Sequence, residues 1–169
     1  MRPIAALGVV IALLGLEPQT ALADFRVTID ACQAVRRLVA PQGTDLLASR
    51  CGQRFSSRDP FIAIVTRIRD IVQTQRVDAD VQIFDPSQTF VEGYKLRVDV
   101  EPEGREIWDV AILPIAASAS DLTAQLPDFR ADIIEVKGGR PLKERLGTWT
   151  VRVTVNRQSY PFSFTLEGP

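Results

Sequence analysis

Histidine is absent from the 169 residues of this chain. No other side chain titrates near neutrality unperturbed, so the Ser-His-Asp and Cys-His arrangements of nucleophilic catalysis are excluded, together with any imidazole metal site. Cysteine is scarce: Cys32 and Cys51 are the only two, and two thiolates alone hold zinc poorly. Asparagine occurs once, at Asn156, and methionine once. An excess of one charge sign is missing too. Twenty basic residues face 21 acidic ones, which gives no reason to expect a nucleic-acid partner. Seventeen of the basic residues are Arg, a bias that a GC-rich coding sequence explains without binding chemistry. Long apolar runs are limited to one, and no cofactor-binding motif is present.

That single run, Ile4 to Leu16, follows Arg2 and is broken by Glu17-Pro18 before the small-residue sequence Ala21-Leu22-Ala23. Its 13 residues are too few to cross a bilayer of roughly 30 Å, which takes about 20 residues as a helix. The pattern is that of a secretory signal, with residues 1–23 removed and no membrane anchor left behind. No cysteine stands at the end of the run, as a lipoprotein signal requires. The remaining 146 residues of the 169 suffice for one domain with a real core. In an exported chain a lone cysteine pair is most simply a disulfide. Bridging Cys32 and Cys51 closes a loop of about 20 residues, for which the chain-entropy account gives on the order of 3 kcal/mol.

Charge is uneven along the mature chain. From Asp24 to Arg76 nine Arg face five carboxylates, whereas from Val77 to Asp109 nine carboxylates face three bases. Attraction between the two stretches within one fold explains this, and a polar docking face is the sharper alternative.

Phe25, Val27 and Ile29 alternate with Arg26, Thr28 and Asp30, predicting a short opening strand. The period then changes. Ala31, Ala34, Val35, Leu38 and Val39 recur at helical spacing behind Asp30, and Thr44 is placed to cap a second short helix that ends at Gly52. Two such helices folded back on each other bring Cys32 beside Cys51. The N-terminal segment, residues 24–59, is therefore expected as a disulfide-clipped helical hairpin, followed by a β-sandwich over residues 60–169. In that second region Phe61 to Val72 prefers a strand, with a helix as runner-up, and Val77, Ala79, Val81 and Ile83 alternate with polar residues. Asp85-Pro86-Ser87-Gln88 is a turn. Tyr94 to Glu101 and Glu106 to Ile115 read as a hairpin around Pro102-Glu103-Gly104-Arg105, with Leu96, Val98 and Val100 inward. Ser118 to Leu126 reads as a short serine-capped crossover helix ended by Pro127, Phe129 to Val136 as a strand, and Gly138-Gly139-Arg140-Pro141 as a turn.

The last stretch is the clearest. Trp149, Val151, Val153 and Val155 fall on one face and Thr148, Thr150, Arg152 and Thr154 on the other; Phe162, Phe164 and Leu166 repeat the pattern after a short polar break. This is a β-hairpin with one buried face. The run Gly147-Thr148-Trp149-Thr150-Val151-Arg152-Val153-Thr154-Val155 resembles the penultimate strand of immunoglobulin-like and macroglobulin-type domains of exported proteins. The resemblance covers about 25 residues and implies a fold without an activity. Both cysteines precede the β region, unlike the core disulfide of antibody domains. The expected fold is mainly β, an antiparallel immunoglobulin-like β-sandwich of seven or eight strands.

Candidates for chemistry are few. Asp78 and Asp80 share a strand face, but without a glycine-containing ligand loop they make a poor calcium cage and read as solvated sheet surface. Trp149 is in phase with the core. Trp108 lies in a strand apolar on both faces, which means either an exposed patch or, as favoured here, a central strand covered on both sides. Arg36 and Arg37 fall on the polar side of the expected first helix, in solvent. Trp108, Arg36 and Arg37 are thus the residues left as candidates for binding, and no catalytic, cofactor or metal residue is assigned. The leading expectation is a non-catalytic exported bacterial module, periplasmic or secreted, that meets a protein partner in the cell envelope or serves its assembly. Its rivals are a small-ligand or carbohydrate-binding domain and a carboxylate-dependent hydrolase, for which two carboxylates converging in a cleft are the minimum.

Overall fold

A computed structural model describes residues 25–40, 43–71, 75–100, 106–136 and 140–169. The expected export signal and the turns expected at Pro102 to Arg105 and at Gly138-Gly139 lie outside these residues. The chain runs β1 (Arg26–Ala40), β2 (Gly43–Gly52), β3 (Arg54–Ser56), β4 (Phe61–Arg69), β5 (Gln75–Phe84), β6 (Phe90–Val100), β7 (Ile107–Pro114), α1 (Ala119–Gln125), 3-10 turns at Pro127–Asp132 and Leu142–Glu144, β8 (Gly147–Val155) and β9 (Gln158–Glu167). These strands form two sheets, one of order β2-β1-β4-β7 and one of order β3-β9-β8-β5-β6. The short β3 runs parallel to β9, and every other pairing is antiparallel.

Alternation along the strands builds the core between the sheets. Val77, Ala79, Val81 and Ile83 of β5 and Trp149, Val151, Val153 and Val155 of β8 all point inward and are buried. Trp149 is the anchor: its ring stacks on Phe164 at 5.9 Å and its indole N–H donates to the Arg145 carbonyl at 3.0 Å, so its one polar atom is satisfied. Gly147 enters β8 at φ +123°, a conformation costly for any side chain, and a Cβ there would meet Pro86 at 3.1 Å.

A second core lies on the other face of the first sheet. Strand β4 is apolar on both sides, with Ile62, Ile64 and Ile68 in the inner core and Phe61, Ala63 and Val65 in the outer one. Strand β7 does the same through Ala111 and Leu113 against Val110 and Ile112. The outer face is covered by Val35 of β1, Leu122 of α1 and Phe129 of the first 3-10 turn. The expected capped helix is present: the Ser118 hydroxyl accepts from Asp121 N–H, and the Asp121 carboxylate accepts from Ser118 N–H.

Four expectations are corrected. The N-terminal segment forms no helical hairpin; residues 26–40 and 43–52 are strands, Cys32 stands directly opposite Cys51, and the two are joined. The helical spacing arises because β1 changes environment midway. It pairs with β4 only over Arg26 to Cys32, and the pairing with β2 is interrupted at Gln33 and Arg50, the latter at φ 55°. The even-numbered Cys32 and the odd-numbered Val35 therefore share one core, which mimics an i, i+3 stripe. Strands β6 and β7 are not a hairpin, since they belong to different sheets; a turn signal between them does not distinguish a hairpin from an arch. Residues Phe129 to Val136 contain no strand but a 3-10 turn, begun by Pro127, and a single bridge from Ile133 to Ile112. Nine strands, not seven or eight, are present among the described residues.

Candidate functional site

Arg36 is exposed, as anticipated, but Arg37 is not in solvent. Strand β1 carries it back over the outer face, where its guanidinium bonds the Asp132 carboxylate at 2.6 Å and lies 4.8 Å from the Phe129 ring and 5.5 Å from Trp108. The Trp108 indole N–H donates to the Thr44 carbonyl at 3.2 Å. Trp108 and Arg37 thus meet in one cluster that clasps the β1–β2 hairpin to the body. Trp108 lies in a strand covered on both faces, yet that strand is the edge of its sheet and not central. Its half-buried ring, roofed by Arg37, offers no flat stacking platform. Asp78 accepts from Arg97 at 2.6 Å, which lowers its pKa and marks it as paired sheet surface.

Beside the clasp, on the side of the sandwich where the edges of β6 and β7 approach each other, lies a crevice of about 470 Å³. Glu92 and Tyr94 line it from β6, Asp109 from β7, and Asp132 and Glu135 from the segment after α1; among the described residues no Lys or Arg lines it. Asp109 occupies an inward position of β7, in phase with Ala111 and Leu113. Burial pushes its carboxyl above the ordinary carboxylate range, and the charge of Asp132 adds to the shift. Asp132 is also raised, chiefly by burial, with Arg37 pulling the other way. The Tyr94 hydroxyl is pushed well above its usual value by burial first and by Asp109 second. Tyr94 and Asp109 meet in an imperfect hydrogen bond that draws the Asp109 carboxyl back down, and Tyr94 Oη and Asp109 Oδ2 are buried below the accessible surface. So is Oγ1 of Thr66, 2% exposed and directly opposite Asp109 in the β4–β7 pair.

No family model matches the chain. No curated protein matches it either. Among solved structures it is similar to an immunoglobulin-like protein from Pseudomonas aeruginosa, at 10% identity and a TM-score of 0.39, over 87% of this chain and 99% of that one. It also aligns with the alkylpurine DNA glycosylase AlkC of Pseudomonas fluorescens at 11% identity and a TM-score of 0.36, over 68% of this chain and 27% of that one. The putative ApaA protein of Bordetella pertussis aligns at 10% identity and a TM-score of 0.27, over 85% and 89% of the two chains.

Sequence reasoning passed over Glu92, Tyr94, Asp109 and Asp132. For Asp109 a signal existed: Ile107, Ala111 and Leu113 share its phase, so a carboxylate interrupts an apolar face. For Asp132 none did, because its position depends on a turn that reads as a strand. Among the described residues no group of three or more carboxylates or thiolates is placed to hold a metal ion.

Proposed function

We propose that the protein is an exported, non-catalytic immunoglobulin-like module that works by contact with a protein partner in the cell envelope. The strand order supports the fold reading: β1-β4-β7 and β9-β8-β5-β6 follow the A-B-E and G-F-C-C′ order of immunoglobulin sandwiches, with β2 as an added strand beside the first. The disulfide supports an oxidising compartment, and no helix among the described residues is long and apolar enough to cross a membrane.

The observation that carries the contact reading is the free side of the β1–β2 hairpin. Leu47, 55% exposed and opposite Arg36, shares its outer face with the exposed Leu38, and Val39, 92% exposed, projects from the other face near the tip, on a hairpin whose outer strand β2 is a sheet edge. Exposed apolar side chains on an unpaired edge are what strand addition by a partner uses: backbone bonds give affinity, and alternate side chains give specificity. A hydrolase is the weaker reading. The crevice does gather carboxylates, but Asp132 is held by Arg37 and Asp109 Oδ2 is buried below the accessible surface, so neither is placed to attack a sugar.

A photo-crosslinker placed at position 47 is expected to form discrete adducts with an envelope protein, and one at position 154, on the opposite sheet, is not. Leu38→Asp with Leu47→Asp should cut capture at least tenfold while leaving the thermal midpoint nearly unchanged, since both side chains are exposed. Adducts that are equally abundant from both positions, or none from position 47, overturn the reading.

A further inference from the structure

The free edge of β2 carries its charges in an order that strand addition by an arbitrary partner leaves unexplained. The strand is 10 residues long, ends its sheet, and has neither the Pro nor the Lys that commonly keeps an edge from pairing. Its charges instead bracket an apolar middle: Asp45 precedes Leu46-Leu47-Ala48, and Arg50 follows after Ser49. Both are exposed, and among the described residues neither is ion-paired within its own chain. The backbone is turned outward at the same place. The Thr44 carbonyl accepts from the Trp108 indole at 3.2 Å, outside the hairpin, and in an antiparallel ladder residues of one phase turn both backbone groups to the same side. Leu46 and Ala48, in phase with Thr44, therefore turn theirs away from β1.

We infer that this edge pairs with a second copy of the chain, β2 running antiparallel to β2 about a two-fold axis at Leu47. The inference rests on the reading of the edge as a strand acceptor, and it names what covers the edge when no envelope protein does. A strand with an acid at one end and a base at the other complements itself only when reversed; a parallel pair in register sets acid beside acid and base beside base. The two-fold keeps each face of the sheet on its own side, so residues meet residues of their own phase. The outward backbone groups of Leu46 then meet those of Ala48 of the second copy, and the reverse, which satisfies the edge from both sides. Leu47, 55% exposed in one copy, packs on its symmetry mate, with Arg36 behind it on β1 and Leu38 in the next row. Asp45 lies opposite Ser49 of the second copy and one residue from its Arg50, once at each end of the seam. Arg50 stands at φ 55°, where the alternation of the strand breaks, so its side chain is not held to the face opposite Asp45. Such a pair is closed, because each copy spends the same edge and leaves none for a third.

Analytical ultracentrifugation of the purified chain from about 1 μM to about 1 mM is expected to show a reversible equilibrium between monomer and dimer, with no larger species. Asp45→Arg and Arg50→Asp, each alone, set like charges together at both ends of the seam and should weaken the dimer by about tenfold or more. Mixed in equal amounts, the two variants should recover it, since each supplies the charge that the other lacks. A merely structural role for either residue gives no such recovery. Both positions are exposed and aspartate tolerates positive φ, so each variant monomer should keep its fold. Should one misfold, the wild-type amides of Leu46 and Ala48 decide: hydrogen-exchange protection that rises with protein concentration supports the pair, and protection independent of concentration overturns it. A monomer throughout the range, growth beyond two copies, or a dimer indifferent to both reversals also overturns it. A monomer that still gives envelope adducts from position 47 overturns this inference alone, whereas a dimer that gives none overturns only the envelope reading.

Discussion

Asp109 illustrates what one side chain in the wrong phase does. Its neighbours on the inner face of β7 are apolar, and its carboxyl is raised by burial because water no longer stabilises the charged form. The sign of the consequence follows. A carboxyl that holds its proton to higher pH in the folded chain contributes stability that is complete below the unfolded value and is lost as pH rises through the folded one. Asp132 adds to the same loss, partly offset by Arg37. Asp109→Asn should therefore stabilise the fold at neutral pH, because the amide carries no charge to hold out of water. That gain should vanish near pH 3, where the native carboxyl is protonated. Denaturant melts of both proteins at the two pH values check it, and a variant that is less stable than wild type at neutral pH contradicts it.

The β1–β2 hairpin shows where pattern reading stops. Within one strand the inward face is expected to keep one parity, and in β5 and β8 it does, so those strands were legible residue by residue. In β1 the parity changes at the break between Cys32 and Ala34, where the strand leaves β4 and folds over the outer face with β2, and the burial then mimics a helix turn. No local propensity reveals such a change of partner; only the position of β4 does. The disulfide sits at that break, with Cys32 fully buried. It fixes the point from which the hairpin turns back. Replacing both cysteines by Ala should cost on the order of 3 kcal/mol by the chain-entropy account, read as a lowered thermal midpoint that dithiothreitol reproduces in the wild type. A double variant within about 0.5 kcal/mol of wild type would show that the strand ladder alone holds the turn.

Across the whole molecule, the two cores are unequal partners. The inner one spans both sheets and carries the large side chains Trp149 and Phe164, whereas the outer one rests on Val35, Leu122, Phe129 and the apolar outer faces of β4 and β7. The sandwich was readable because each of its strands states its own inner face; the outer layer was not, since it is assembled from a strand that switches sides, a seven-residue helix and a turn. Beyond Cys32 and Cys51 the hairpin is held by Val35, by the partly buried Leu46 and Ala48, and by the Arg37 clasp on Asp132, Trp108 and Phe129. So little buried area implies that this layer opens before the sandwich does, because local opening costs only the contacts it breaks. Arg37→Ala removes the ion pair and both ring contacts at once. In native-state hydrogen exchange the amides bonded across β1 and β2 from Val35 to Ala48 should then exchange at least tenfold faster, with those of β5 and β8 nearly unchanged. Uniform acceleration over all strands would mean that the two cores unfold as one unit, and the clasp would then be a global support and not a hinge for the surface that meets the partner.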